Sequence, residues 1–193
     1  MKKAIRLVAG VVGLLLGSVG LLGVSAAGGS GAAPGVVSRV DLNRYLGRWY
    51  EIAAIPAWFE KSCLGGTTAT YSQLPNGNIQ VVNQCFEAGG KRKEARGQAW
   101  VADPATNAKL KVSFIPYLHW NFLAGDYWII DLGANYEYAV VGSPSRRFGW
   151  ILSRTPELSA ETLKGIEQRL QEQGYNFSQF KMTDQKSFPP GPS

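Results

Sequence analysis

The chain has 193 residues, 45% of them hydrophobic, and a formal net charge of +6. Half of that charge comes from Lys2, Lys3 and Arg6, and the other cations are scattered apart from short clusters at 91–93 and 146–147. This distribution favours solubility over a nucleic-acid partner, and the length that follows an N-terminal leader suits one domain with a full core.

Residues 1–27 have the layout of a secretory signal peptide. A basic start precedes a long apolar run, and Val24 and Ala26 occupy the −3 and −1 positions of a cleavage site. The run also approaches the roughly 20 residues that span a bilayer, so an uncleaved membrane anchor is the alternative. Both interpretations predict an exported protein, in the periplasm, in the thylakoid lumen or outside the cell.

Two flanking segments have compositions typical of unstructured chain. Residues 28–38 are rich in Gly, Ala and Ser without a period and predict a flexible lead-in. Residues 184–193 are rich in Pro and predict a disordered tail. The folded domain is therefore predicted over residues 39–183.

Short strand-like runs follow one another at regular spacing. Asn76-Gly77 lies between two of them and is the strongest short-range hairpin signal. The eight predicted strands are RWYEIAAI, TTATYSQL, IQVVNQCFE, EARGQAWVA, LKVSFI, GDYWIIDL, YEYAVVG and GWILSRT. We predict an all-β fold, an eight-stranded antiparallel up-and-down β-barrel, because closure removes the sheet edges. A β-sandwich is the alternative, although it usually has longer crossover connections.

One segment after the strands has a helical period. Over residues 159–173 the apolar positions Leu163, Ile166 and Leu170 fall on one face, and Ser159 suits an N-cap. The pattern predicts one C-terminal α-helix that packs its apolar stripe on the outside of the barrel, and a short ninth strand can follow it.

The two cysteines, Cys63 and Cys85, are the complete set in the chain. In an oxidising compartment a disulfide is the default, and closing this loop contributes about 3 kcal/mol. Two free thiols are the alternative.

Three short motifs resemble the signatures of the lipocalin family in order and spacing. GRWYEIA, with Gly47 and Trp49, resembles the first; Asp131 with YAVVG resembles the second; and SRTPEL, with Arg154, resembles the third. The resemblance covers about residues 40–182 and is greatest to bacterial lipocalins and their apolipoprotein-D-like relatives. It implies a lipocalin barrel that holds a small hydrophobic ligand.

One end of such a barrel is predicted to be closed. The first strand starts and the eighth strand finishes at this end, so Arg154 should lie over Trp49, a contact worth about 0.5–2 kcal/mol. The resemblance implies a structural role here, and the predicted closed end comprises Gly47, Trp49, Asp131 and Arg154.

The loops at the opposite end carry most of the loop aromatics. We predict a ligand mouth or a lip for peripheral membrane contact, and inward folding of some rings as a lid is the alternative. The predicted ligand contacts in these loops are Trp58, Phe59, Tyr117, His119 and Trp120.

The cavity wall is predicted from alternation along the strands. In the strand over residues 127–130, either Tyr127 and Ile129 or Trp128 and Ile130 face the cavity, and alternation alone does not settle the choice. We adopt the first pair as the prediction. Plain core packing is the alternative for each position. The predicted wall contacts are Tyr71, Val101, Leu110, Val112, Phe114, Tyr127, Ile129 and Trp150.

Signals for catalysis are weak. The chain has one histidine, His119, and lacks the common metalloprotease, hydrolase and phosphate-binding motifs. Glu51 shares the face of Trp49, where a hydrogen-bonded structural acid is favoured over a functional one. We predict no catalytic residue, no cofactor and no metal site.

Two functional hypotheses follow. The first is a carrier or scavenger of fatty acids, lysophospholipids or related lipids, with a role in membrane maintenance or stress protection, and with the rim cations Lys61, Lys91 and Arg146 near an anionic head group. The alternative is a lipid-modifying enzyme on a lipocalin-like fold, an isomerase or a de-epoxidase, that uses a cysteine thiol.

Overall fold

Nine strands form one antiparallel sheet in the part of the chain that this computed structural model describes, residues 31–115 and 124–188. The strands are β1 (Gly47–Ala54), β2 (Gly65–Gln73), β3 (Ile79–Phe86), β4 (Arg92–Val101), β5 (Lys109–Ser113), β6 (Gly125–Leu132), β7 (Tyr138–Gly142), β8 (Gly149–Ser153) and β9 (Lys181–Met182). The two α-helices in these residues are the single turn α1 (Leu42–Tyr45) and α2 (Ala160–Glu172).

Strand β1 closes the sheet into a barrel. Its first half pairs with β2, from Gly47 opposite Tyr71, and its second half pairs with β8, up to Ala54 opposite Trp150. Each of the other strands from β2 to β8 pairs with its neighbours in sequence. The predicted eight-stranded up-and-down barrel is thereby confirmed. The short ninth strand expected after the helix is the two-residue strand β9, which pairs with the end of β1.

Alternation along the strands separates two apolar clusters. One fills the interior and includes Trp49, Leu110 and Ile129, and the other includes Ile130 and lies between the barrel and α2. Strand β6 therefore turns Ile129 inwards and Ile130 outwards, which settles the choice that alternation alone left open.

Helix α2 packs on the outside of the barrel as predicted. Ser159 caps its N-terminus by accepting a hydrogen bond from the Thr162 backbone N–H at 3.0 Å. Ile166 and Leu170 are buried against the outer cluster. The chain leaves the helix through Gly174, whose φ of +81° is a conformation that glycine adopts without steric cost.

The segment predicted as a flexible lead-in packs on the barrel over its described part, residues 31–38. The Val37 backbone N–H donates to the Ile129 carbonyl at 3.1 Å, and Arg146 Nη2 donates to the Ala32 carbonyl at 2.6 Å. Pro34 is buried. Composition suggested flexibility, but these contacts with distant strands and loops hold the segment in place.

The predicted disordered tail is also wrong over its described part, residues 184–188. The Gly66 backbone N–H donates to the Asp184 carbonyl at 2.8 Å, and the ring of Phe188 stacks on Phe86 with the ring centroids 5.3 Å apart. Contacts with β2 and β3 thus order a sequence whose composition resembles a loose end.

The predicted signal peptide, residues 1–27, lies outside the described residues, as do 189–193. Within residues 31–115 and 124–188, neither helix has the length and apolar character needed to cross a bilayer.

Candidate functional site

The closed end of the barrel is sealed by Trp49 and Arg154. Trp49 is fully buried, and the Arg154 guanidinium carbon lies 3.7 Å from the centroid of its ring. The same guanidinium donates to the carbonyls of Arg44 at 2.6 Å, Arg48 at 3.0 Å and Tyr136 at 3.3 Å. One cation therefore ties the entry of β1 to α1 and to the turn before β7, and its role here is structural.

Of the other two residues predicted at the closed end, Gly47 lies next to Arg154 and Asp131 lies on the outer face of the barrel. Gly47 has a φ of +93°, a backbone conformation that glycine adopts without steric cost, and it lies beneath the Arg154 guanidinium. Asp131 is instead on the outer face, where its carboxylate accepts from Arg169 Nε of α2 at 2.7 Å. A bulge between Ile129 and Asp131 reverses the alternation and turns Asp131 outwards. Asp131 therefore lies near the closed end of β6 but faces α2.

At the open end, a disulfide between Cys63 and Cys85 fixes the loop between β1 and β2. The bond confirms the predicted pairing and joins Cα atoms 5.6 Å apart. Lys93 Nζ holds the same loop by donating to Ser62 Oγ at 2.8 Å and to the Phe59 carbonyl at 3.4 Å. The loop is thereby held at the mouth of the barrel.

A cavity of about 460 Å³ opens at this end of the barrel. The predicted residues that line it are Phe59, Tyr71, Val112, Phe114, Tyr127 and Trp150. Other lining residues, which the prediction missed, include Glu60, Ala69, Val81, Asn83, Asp126, Val141, Phe148 and Leu152. The lining is mostly apolar, and it has the form of a cup above the sealed end.

Several predicted contacts lie elsewhere. Leu110 and Ile129 belong to the packed interior below the cavity, and Val101, which pairs with Leu110, is not part of the lining. Trp58 is 75% exposed on the rim. Alternation gave the correct face for the first two, but it contains no information on depth along the barrel axis. The remaining predicted contacts, Tyr117, His119 and Trp120, lie outside the described residues.

Three tyrosines form a hydrogen-bonded chain at the floor of the cavity, and two of them, Tyr71 and Tyr127, line it. The hydroxyl of Tyr127 shares hydrogen bonds of 2.8 Å with the hydroxyls of both Tyr45 and Tyr71. Burial raises the pKa of Tyr71 to about 12 and holds the pKa of the other two well above the ordinary value. The floor therefore presents neutral hydroxyls to a ligand.

Two buried carboxyl groups interact beside the cavity, and one of them, Glu60, lines it. Glu60, in the 3₁₀ turn Trp58–Glu60, accepts a hydrogen bond from Trp150 Nε1 at 3.3 Å, and burial raises its pKa. Glu51 is buried on β1 and accepts from Thr183 Oγ1 at 2.6 Å. Burial, and then the charge of Glu60, raise the pKa of Glu51 to about 7. The hydrogen bond agrees with the structural role predicted for Glu51, whereas no periodic signal marked Glu60, a loop residue.

The described residues of the lining include neither Lys nor Arg. Arg146, expected near an anionic head group, donates instead to the backbone carbonyls of Gln173 at 2.7 Å and of Ala32. Lys61 and Lys91 are exposed and lie outside the lining. The rim cations are therefore not arranged around the cavity.

The cysteine mechanism of the enzyme hypothesis is removed, because both thiols are consumed in the disulfide. Within the described ranges, no three His, Cys, Asp or Glu side chains cluster closely enough to hold a metal ion. What the described site offers is a shaped apolar cavity with a few polar groups, which suits binding.

Comparisons with known proteins agree with this geometry. Residues 40–185 match the model of the lipocalin-like domain family. The chain is 41% identical over 158 residues to temperature-induced lipocalin-1 of Arabidopsis thaliana, a match that covers 80% of this chain and 84% of that protein. It is 37% identical to mouse apolipoprotein D, with 81% of this chain and 83% of the relative covered. It is also 37% identical to the outer membrane lipoprotein Blc of Escherichia coli K12, with 75% and 79% covered.

Among solved structures, insecticyanin of the tobacco hornworm Manduca sexta has the same fold. It superposes with a TM-score of 0.62 at 21% identity, over 80% of this chain and 85% of that protein. The sequence matches, together with the barrel, show that the chain belongs to the lipocalin family, whose members typically bind small hydrophobic ligands.

Proposed function

We propose that the protein is a non-enzymatic carrier or scavenger of lipids with one hydrocarbon chain, such as fatty acids, lysophospholipids or related molecules. The observation that carries the proposal is the apolar cavity of about 460 Å³ above a sealed floor. A chain of about 14 methylenes gains roughly 11 kcal/mol on burial, and association costs at least about 4 kcal/mol of that. The difference corresponds to a dissociation constant in the micromolar range.

An exported location and a role at membranes belong to the same proposal. The Cys63–Cys85 disulfide suits an oxidising compartment. Large apolar side chains are exposed around the open end, where they suit peripheral contact with a membrane surface; they are Trp58, Phe59, Leu64, Phe114 and Ile115. Relatives named as lipoproteins and as temperature-induced support roles in membrane maintenance and in stress protection.

The test fills the cavity and measures binding of a neutral fluorescent apolar probe, N-phenyl-1-naphthylamine, and its displacement by lauric acid and by a lysophospholipid. Val112 lines the cavity, so Val112→Trp should weaken probe binding at least tenfold. Val82, on β3, is not part of the lining, and Val82→Trp is the matched control. Circular dichroism checks that both variants fold. Equal probe affinity in the two folded variants would contradict the proposal.

A further inference from the structure

We infer that the open end of the cavity carries a head-group site for an alkylammonium, formed by the Glu60 carboxylate and the aromatic rings of Phe148 and Trp150. The inference rests on the proposed function and specifies the class of ligand. It favours amphiphiles with a cationic head over those with a free carboxylate.

Glu60 is held in position on the cavity wall. Its backbone N–H donates to the Ala57 carbonyl at 3.1 Å, and its own carbonyl accepts from the Cys63 backbone N–H at 2.8 Å. Its side chain lines the cavity and accepts from Trp150 Nε1 at 3.3 Å. A disulfide-anchored turn thus fixes a negative charge at the edge of an indole ring.

Aromatic rings surround the same place. Phe148 and Trp150 both line the cavity, and their rings are nearly parallel, at 5°, with centroids 6.0 Å apart. Phe59 lies beside Phe148 with a centroid distance of 6.2 Å. The faces of aromatic rings attract quaternary and primary ammonium groups, and a nearby carboxylate adds direct charge attraction. Rings and carboxylate together match the chemistry of an alkylammonium head.

Lys93 is the neighbouring cation whose charge partly offsets the rise that burial causes in the pKa of Glu60, and its ammonium group is bonded to other partners. Lys93 Nζ is engaged by Ser62, by the Phe59 carbonyl and by Glu87 at 3.7 Å. Lys111 Nζ is engaged by Asp126, another lining residue, at 2.7 Å.

The second acid, Glu51, adds to the negative potential around Glu60. Among the described lining residues, a carboxylate head would meet the acids Glu60 and Asp126 and no cation, whereas an ammonium head meets opposite charge.

The first experiment compares head groups on one chain length. Displacement of N-phenyl-1-naphthylamine at pH 8 is measured for dodecyltrimethylammonium, dodecanol and dodecanoate, each below its micellar concentration. We expect the ammonium to bind at least tenfold more tightly than the carboxylate, with the alcohol between them. A twelve-carbon lysophosphocholine distinguishes a simple amine from a zwitterionic lipid head, and tightest binding of either ammonium ligand supports the inference.

Carboxylate binding equal to or tighter than ammonium binding would overturn the inference while leaving the proposed function standing. If none of the ligands displaces the probe, the proposed function fails and the inference fails with it.

The second experiment removes the charge alone. Glu60→Gln retains an acceptor for Trp150, so the preference for ammonium over alcohol should fall about tenfold while dodecanol affinity stays the same. Glu94→Gln, on an exposed acid outside the lining, is the control. An unchanged preference in Glu60→Gln would refute the assignment.

The ammonium head does not titrate, so the pH dependence of its affinity reports the protein. The charged groups that act on Glu60 are Glu51 and Lys93, and burial raises the pKa of both glutamates. Affinity should fall as the pH is lowered from 8 to 5, and this fall should shrink in Glu60→Gln. A fall of the same size in both proteins would assign the effect to Glu51 and contradict the role of Glu60.

Discussion

Strand β1 is joined to β2 in different ways at the two ends of the barrel. At the closed end, β1 forms a backbone ladder with β2 from Gly47 to Tyr50, and Trp49 fills the space beneath Arg154. At the open end the β1–β2 ladder stops, and the Gln185 side chain bridges the two strands by donating to the carbonyls of Glu51 at 2.7 Å and Thr67 at 2.8 Å. Apolar packing gives way to a polar side-chain bridge within a few residues.

This difference suggests that the closed end contributes mainly to stability and the open end mainly to binding. The closed end buries a large ring and satisfies its carbonyls with one guanidinium, so it stabilises the fold. The open end buries carboxyl groups and leaves a cavity, and both features cost folding free energy. We therefore expect changes at the closed end to affect stability most, and changes at the open end to affect binding and pH dependence.

The largest expected effect comes from Trp49→Ala, which breaks the closed end. Removing this fully buried ring should lower the free energy of unfolding by about 3–5 kcal/mol. Trp58→Ala, at a rim position that is 75% exposed, should change it by less than about 0.5 kcal/mol. Urea denaturation followed by circular dichroism measures both. Comparable losses in the two variants would show that the ends do not differ as described.

A smaller effect is expected from the buried acid at the open end. The pKa of Glu51 rises from 4.5 in the unfolded chain to about 7 in the folded protein, so the folded state binds the proton more tightly. Stability from this group is complete below pH 4.5 and is lost as the pH rises to about 7 and beyond, by on the order of 3 kcal/mol.

The isosteric change Glu51→Gln should remove most of this slope and make the protein more stable than the wild type at pH 8. Unfolding by urea at pH 5, 6, 7 and 8 measures the slope. Glu94→Gln, on a surface acid whose pKa is lowered by its hydrogen bond from Gln84, should leave the wild-type fall intact. A wild-type stability that rises from pH 5 to pH 8 would contradict the assignment.

The closed end could be predicted from the sequence far better than the open end. Period-2 alternation and the three signatures placed Arg154 over Trp49, and the helical period placed α2 within two residues of its observed bounds. Asp131 was assigned to this end through the second signature, which does not tell which face it occupies; one bulge turns it towards α2, and bulges leave no mark in a hydrophobic pattern.

The open end depends on contacts that local patterns do not contain. Glu60 lies in a loop without a period, and Gln185 bonds to residues more than a hundred positions away. The proline-rich composition of the tail predicts a disordered chain. It gives no indication that Gln185 in this tail donates hydrogen bonds to two backbone carbonyls of the barrel. Long-range polar contacts of this kind were therefore the part of the molecule that sequence patterns missed.

The smallest expected effect tests the polar bridge between β1 and β2. Gln185→Ala leaves the carbonyls of Glu51 and Thr67 without this donor, which should cost about 1–2 kcal/mol of unfolding free energy and speed amide hydrogen exchange in residues 51–54 and 65–67. Gln171→Ala is the matched control, because the side chain of this exposed glutamine donates to Glu167 on its own helix. Unchanged exchange in both strands of Gln185→Ala would show that packing of the tail on β2, and not the glutamine side chain, holds β1 and β2 together at the open end. The proposed contrast between apolar packing at one end and a polar bridge at the other would then be wrong.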